Sequence, residues 1–378
     1  MAYSIELGPI RPPSEAYSLL IRATINCPWN RCKFCKTYKG SKFQLRSVEE
    51  IKQDIKAVGA IHDQIKEHAW KSGYGDRVRE VAAALLINPP DQAFYNVALW
   101  LYAGGENAFL QDANSLIMRT GELAEVIKFL KETLPSIKRI TSYGRSKTAC
   151  KKRLDELIKL KEAGLSRLHL GLESGYDPLL EYMDKGITAA EHIEGGRKVV
   201  ESGISLSEYV ILGLGGETMW REHAVHTAKV LNQIDPDFIR VRTLTINKRM
   251  PLYEEIENGN FIRATEERII QEARLLIENL ECNSNYVSDH INNLLQEVEG
   301  KLPQDKDKML AVIDRFQGLT LKEKNHFRIG RRVGIYTQLD DLQDPQKRQV
   351  VEKIMHRLSR EGNQLDDRAI YALMETFI

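Results

Sequence analysis

Short apolar runs rich in β-forming residues alternate along this chain with longer stretches whose apolar residues recur every three or four positions. The short runs are AYSLLIRAT (16–24), NAFLQDA (107–113), RITSYG (139–144), RLHLGLES (167–174), LSEYVILGLG (206–215) and FIRVRTLTI (238–246), and each predicts a strand. Helices are predicted between them. Ser47 stands three residues before Glu50, a capping box that opens VEEIKQDIKAVGAIHDQI. LAEVIKFLKETL (123–134) and KKRLDELIKLKEAG (151–164) place apolar residues on one helical face, the second stopping at Gly164, and 188–203 and 221–234 follow the same rule. Strands alternating with helices imply an α/β fold with a parallel sheet. Six units predict a partial (β/α)6 TIM-like barrel, with a doubly wound sheet as the alternative. After residue 246 no strand is predicted. TEERIIQEARLLIENLE, LPQDKDKMLAVIDRF and PQKRQVVEKIMHRLSR predict a helical C-terminal extension (247–378) beside a core at 1–246.

Composition narrows the partners. Among 378 residues, 54 lysines and arginines meet 53 acidic residues, a formal charge of +1. No global basic footprint for nucleic acid follows from that balance. No run of eighteen apolar residues occurs, and the opening MAYSIELGPIRPPSEAYS lacks an apolar signal stretch, so a cytoplasmic protein without a membrane partner is expected. Thiols stay reduced there, and clustered cysteines then point to metal or catalysis.

Three of the five cysteines, Cys27, Cys32 and Cys35, fall within ATINCPWNRCKFCKTY directly after the first predicted strand. In a barrel, loops leaving the C-terminal ends of strands carry the chemistry. Structural zinc takes four protein ligands, usually as two pairs, and a [4Fe–4S] cluster normally takes four cysteines. Three thiolates holding such a cluster leave one iron open for a substrate. Phe34, directly before Cys35, offers an apolar wall. Structural zinc and incidental thiols are the other readings.

On these residues the chain resembles the radical S-adenosylmethionine enzymes over about residues 15–246. The resemblance implies that Cys27, Cys32 and Cys35 hold a [4Fe–4S] cluster. S-adenosylmethionine would chelate its open iron and be cleaved to a 5′-deoxyadenosyl radical, with an electron donor such as flavodoxin or ferredoxin. Phe34 matches the aromatic residue usual before the last cysteine. CPWNRC, with four residues between the first two cysteines where the family usually has three, marks a variant spacing.

The resemblance also implies contacts to S-adenosylmethionine. The family's Gly-Gly-Glu letters occur as Gly104, Gly105 and Glu106. The preceding residues read instead as a helix, with Asn88 as N-cap, Pro89 at N1 and the two glycines as its stop. Asp112 and Asn114, ending the second strand, are therefore the candidates for the amino-group contact. Glu173, at the fourth strand's end, is the expected acceptor for the ribose or methionine part. Lys185 and Arg145 are candidates for the carboxylate, Lys185 also reading as a helix-end lysine. ILGLGGE (211–217) resembles the glycine-rich turn beside adenine. In the tail, Tyr286, Asp289 and His290 read as a helix start capped by Ser288 or Asp289, and Arg331 with Arg332 as an anion clamp or a surface loop. The expected function is hydrogen abstraction from a small-molecule or peptide substrate. A zinc-stabilised α/β binding or scaffold protein is the alternative.

Overall fold

The structure, a computed structural model, describes residues 3–360 and Tyr371. The six expected strands form as β1 (Leu19–Arg22), β2 (Asn107–Gln111), β3 (Arg139–Gly144), β4 (Leu165–Glu173), β5 (Ser205–Leu212) and β6 (Phe238–Thr243). Two short strands follow in the tail, β7 (Asn285–Val287) and β8 (Gly300–Lys301). The strands bond in chain order from β1 to β8, and among the described residues no pairing joins the two ends. The fold is thus α/β with a mostly parallel sheet and no closed barrel. β1, β2, β3 and β4 pair in parallel, β7 lies parallel to β6, and β8 runs antiparallel to β7.

Contacts divide the chain into two compact units, Met1–Asn30 with Thr37–Gly171 and Glu194–Ser207, and Arg31–Lys36 with Leu172–Ile193 and Glu208–Ile378. In the first unit, α1 (Val48–Lys71) begins at the expected capping box. Ser47 Oγ accepts the Glu50 N–H at 3.2 Å and Glu50 accepts the Ser47 N–H at 2.7 Å. Its Ile51, Ile55, Val58, Ile61 and Ile65 are buried on one stripe, each worth about 1.5–3 kcal/mol of transfer from water. The short α2 (Val78–Ile87) was not predicted; it buries only Val81 and Ala82, too few positions to give a readable stripe. In α3 (Gln92–Tyr102) the N-cap is Asp91, whose carboxylate accepts the Phe94 N–H at 2.8 Å. Asn88 and Pro89 therefore lie outside the helix, because the charged cap sits three residues later. Gly104 and Gly105 do end it, with φ of 104° and 70° and the Gly105 N–H on the Trp100 carbonyl at 3.0 Å. Its other helices are α4 (Thr120–Thr133), α5 (Ser146–Lys151), α6 (Leu154–Ala163) and, from Glu194 onward, α8 (Ala189–Glu201), with α7 (Asp177–Tyr182) intervening in the chain.

The second unit holds α7, α9 (Trp220–Ile234), α10 (Pro251–Glu257), α11 (Glu266–Glu278), α12 (Lys306–Gln317), α13 (Leu321–Arg332) and α14 (Pro345–Arg360). Leu179, Met183, Leu214, Leu252 and Phe261 form one of its cores. Three tail expectations are corrected. The stretch 247–378 is not wholly helical, since β7 and β8 extend the sheet. Tyr286–His290 is strand and loop with no helix start: Tyr286 lies in β7, and the Ser288 hydroxyl is occupied by the Leu295 carbonyl. Arg331 and Arg332 are neither a clamp nor a surface loop. Both are buried at the end of α13, Arg332 paired with the buried Glu266 and Arg331 donating to the Leu294 and Tyr336 carbonyls.

Candidate functional site

In the first unit, the base of the cysteine loop is fastened by Asp112, the fully buried residue after β2. Its Oδ2 accepts from Arg22 Nη2 at 2.7 Å and from the Asn26 N–H at 3.0 Å, and its Oδ1 accepts the Tyr38 hydroxyl. One carboxylate thus ties the end of β1, the residue before Cys27 and the segment after Cys35. Burial, then the Asp112 charge, push the Tyr38 hydroxyl far up, so it stays a donor. Asn26 and Asn30 take left-handed φ of 65° and 48°, which asparagine tolerates better than most residues. The Asn30 N–H points to Cys27 Sγ at 3.4 Å.

Asn114 is buried and bridges two elements. Its amide donates to Thr148 Oγ1 at 2.9 Å, and its oxygen accepts the Arg145 N–H at 3.0 Å. The Arg145 guanidinium stacks 5.0 Å from the centre of Trp29, a residue of the cysteine loop. Glu106 lies at the opposite end of β2 from Asp112, exposed and paired with Lys138.

In the second unit, the remainder of the loop is held by Arg31 on Asp184 at 3.0 Å, the Lys33 N–H on the Met183 carbonyl at 2.9 Å and Lys33 Nζ on Glu255 at 2.6 Å. Phe34 packs against the core of Leu179, Met183 and Leu252. Lys185 Nζ lies 5.7 Å from the Phe34 ring centre and 3.0 Å from Glu173 Oε1, so Phe34, Glu173 and Lys185 come together. Glu173 itself turns the end of β4 with φ of 63°.

Sequence reasoning missed the groups beneath. Glu208 on β5 is fully buried, and neither carboxyl oxygen has a hydrogen-bond partner. Burial first, then the Glu173 charge, push its pKa well above the ordinary carboxylate value, which favours the neutral form. Behind both strand ends sits the buried pair His223 and Glu272. His223 Nδ1 meets Ser174 Oγ at 2.9 Å and its Nε2 the Ile211 carbonyl at 3.1 Å, while Glu272 Oε1 accepts the Gly213 N–H at 3.0 Å. Ser174 follows Glu173, and Gly213 belongs to the glycine-rich turn. The only sequence signal was a histidine on the apolar face of a helix.

Cys27, Cys32 and Cys35 are of intermediate burial. Among the described residues, no three His, Cys, Asp or Glu side chains are grouped so as to hold a metal ion, and no helix is long and apolar enough to cross a membrane.

A model of the family described as the radical SAM superfamily matches residues 21–228, more than half of the chain. The chain belongs to the radical SAM superfamily. It is accordingly a radical SAM enzyme, of a family that binds a [4Fe–4S] cluster and S-adenosylmethionine. An uncharacterised protein of Methanocaldococcus jannaschii is 30% identical over 36% of this chain and 41% of its own length. A tRNA uridine(34) acetyltransferase of the same organism is 24% identical over 32% of this chain and 22% of its own length. This radical SAM chain thus spans less than half the length of either curated relative. Among solved structures, a radical S-adenosylmethionine methyltransferase from Kitasatospora setae, with cobalamin and a [4Fe–4S] cluster bound, is 12% identical with a TM-score of 0.45. That match covers 89% of this chain and 61% of the other.

Proposed function

We propose that this chain abstracts hydrogen from a small-molecule or peptide substrate, with Cys27, Cys32 and Cys35 as the three ligands of a [4Fe–4S] cluster. The observation that carries the reading is the family match over residues 21–228, which begins just before three cysteines on one loop. The residue types suit such a group: three cysteines on one loop would hold three irons and would leave the fourth for the amino and carboxylate groups of S-adenosylmethionine. Bound there and reduced by one electron, the cofactor pair supplies a 5′-deoxyadenosyl radical.

The chain's own residues supply position. Phe34 is the apolar wall beside Cys35. Lys185 and Arg145 are the cations for the methionine carboxylate, and Glu173 is the acceptor for ribose or methionine. Asp112 and Asn114 serve the amino group less by their side chains, which are taken up by protein partners, than by fixing the end of β2. Residues 1–246 form the catalytic core, followed by the extension 247–378. The electron arrives from a flavodoxin or ferredoxin, in the cytoplasm. The relative named for tRNA matches over only 22% of its length, and the near-neutral charge favours a small substrate.

Anaerobic reconstitution with iron and sulfide tests the reading. The expected protein is brown and, once reduced, slowly releases 5′-deoxyadenosine and methionine. Cys27→Ala, Cys32→Ala and Cys35→Ala each lose the chromophore and the cleavage, while Cys150→Ala and Cys282→Ala keep both. A colourless protein holding stoichiometric zinc would establish the scaffold alternative instead.

A further inference from the structure

The face of β6 turned away from α11 carries charge that the cofactor residues do not use. Along β6, Ile239, Val241 and Thr243 alternate with Phe238, Arg240 and Arg242. Val241 and Thr243 line a small cavity with Ile269 of α11 and Tyr286, which places Arg240 and Arg242 on the other face. Arg240 is buried, only 6% exposed, and donates through Nη1 to Asp289 at 2.6 Å. Its buried Nε–H has no hydrogen-bond partner. The Arg242 guanidinium lies over the ring of Tyr209, from the neighbouring β5, at 4.5 Å. His290, the residue after Asp289, is kept neutral: burial first, then the charge of Arg242, lower its pKa to about 4. Its Nδ1 accepts the Asn292 N–H at 3.2 Å, an arrangement that puts the ring proton on Nε2 as a donor.

A structural ion pair explains Arg240 Nη1 and Asp289 but not the Arg240 Nε–H. It leaves a buried guanidinium N–H unsatisfied, which native structures avoid unless a ligand completes it. Stacking fixes the planar fork of an arginine, the geometry that receives an oxyanion through two parallel bonds.

We propose that Arg240, Arg242 and His290 form a subsite for an oxyanion of the substrate, a carboxylate or a phosphate. The inference rests on the radical-enzyme reading and deepens it: the substrate is a small anion anchored on β6 and the loop after β7. Arg240 and His290 supply further donors beside Arg242, and Tyr209 lies against the Arg242 guanidinium.

Equilibrium dialysis of the reconstituted protein against radiolabelled inorganic phosphate, and in parallel acetate, tests this, with and without S-adenosylmethionine. Saturable binding of one of the two anions, unchanged by S-adenosylmethionine, is expected; which anion binds tells a phosphorylated substrate from a carboxylic one. Arg242→Gln should weaken it about tenfold or more, as loss of a charge-assisted hydrogen bond does. Arg242→Lys, which keeps the charge but not the fork, should weaken it less and serves if the glutamine variant misfolds. Three results would overturn the proposal: neither anion binds, Arg242→Gln binds like the wild type, or S-adenosylmethionine displaces the anion, which would give the site to the methionine carboxylate. Dialysis of the iron-free chain reads the subsite separately. Phosphate or acetate bound by a protein that never forms the chromophore would sink the cluster reading while leaving the subsite standing.

Discussion

Replacing Glu272 by glutamine should remove a pH dependence of stability that the wild-type protein carries. Glu272 is fully buried; one carboxyl oxygen accepts the Gly213 N–H at 3.0 Å and the other has no partner. Burial raises its pKa from 4.5 to about 8, so at pH 7 it is a neutral acid. His223, 3.3 Å away, is lowered by burial to about 4 and is neutral as well. The two signs differ. A raised folded pKa gives Glu272 a contribution present below pH 4.5 and lost as pH climbs to about 8. A depressed one gives His223 a contribution present above pH 6.5 and lost as pH falls toward 4. Between pH 6.5 and 8 only Glu272 acts among this group, since burial keeps the neighbouring Tyr286 hydroxyl protonated throughout. At roughly 1.4 kcal/mol per pH unit, the wild type should lose about 2 kcal/mol across that window. Glu272→Gln keeps an oxygen for Gly213 and cannot ionise, so its profile should lose this component and keep only the slope that other buried acids such as Glu208 supply. Urea titrations at constant ionic strength, at pH 6.5, 7.2 and 8, measure the difference directly. Parallel profiles for the two proteins would refute the reasoning, because they would place the titrating group elsewhere.

Asp112→Asn should destabilise the protein by about 3–5 kcal/mol, since it leaves the buried Arg22 without its closest buried counter-charge. A loss below about 1 kcal/mol in urea unfolding would mean that Glu6, 2.5 Å from Arg22, satisfies the guanidinium alone. Glu106→Gln should change neither stability by more than about 1 kcal/mol nor S-adenosylmethionine affinity, because its carboxylate is an exposed partner of Lys138. A tenfold loss of affinity by calorimetry would restore the Gly-Gly-Glu letters as the binding motif.

What the sequence made legible is local. The six strands lie where β-formers cluster, because each is buried along most of its length, as in β1, where all four residues are inside. Helix ends were readable where a side chain or a glycine completes them within a turn, as at Ser47 and Gly164. The failures share a cause. Asp91 outcompeted Asn88 as a cap by a choice among neighbours that composition does not rank. Two- and three-residue strands such as β7 and β8 hold through partners far along the chain and carry no period of their own. Arg331 and Arg332 look like surface residues until Glu266, more than sixty positions away, provides a buried counter-charge.

For the candidate site the same division has a chemical meaning. Residues that would touch a cofactor lie on loops and strand ends and keep their letters visible: three close cysteines, a phenylalanine, a glutamate and a lysine twelve positions apart. Groups that hold those ends in place came from elsewhere in the chain. Asp112 gathers Arg22, Asn26 and Tyr38 onto one carboxylate, and His223 with Glu272 braces Ser174 and Gly213 behind two strand ends. Both assemblies are buried, where a polar group is tolerated only when its partners are fixed. That requirement makes them rigid, and rigidity is what a loop of three thiols needs if its sulfurs are to meet one cluster. The second brace is also uncharged at neutral pH. It can position the turn beside Glu173 without adding a charge next to the Glu173–Lys185 pair. A charged brace would be costly in the same buried place, so the choice of a neutral acid against a neutral imidazole follows from the position the pair must occupy.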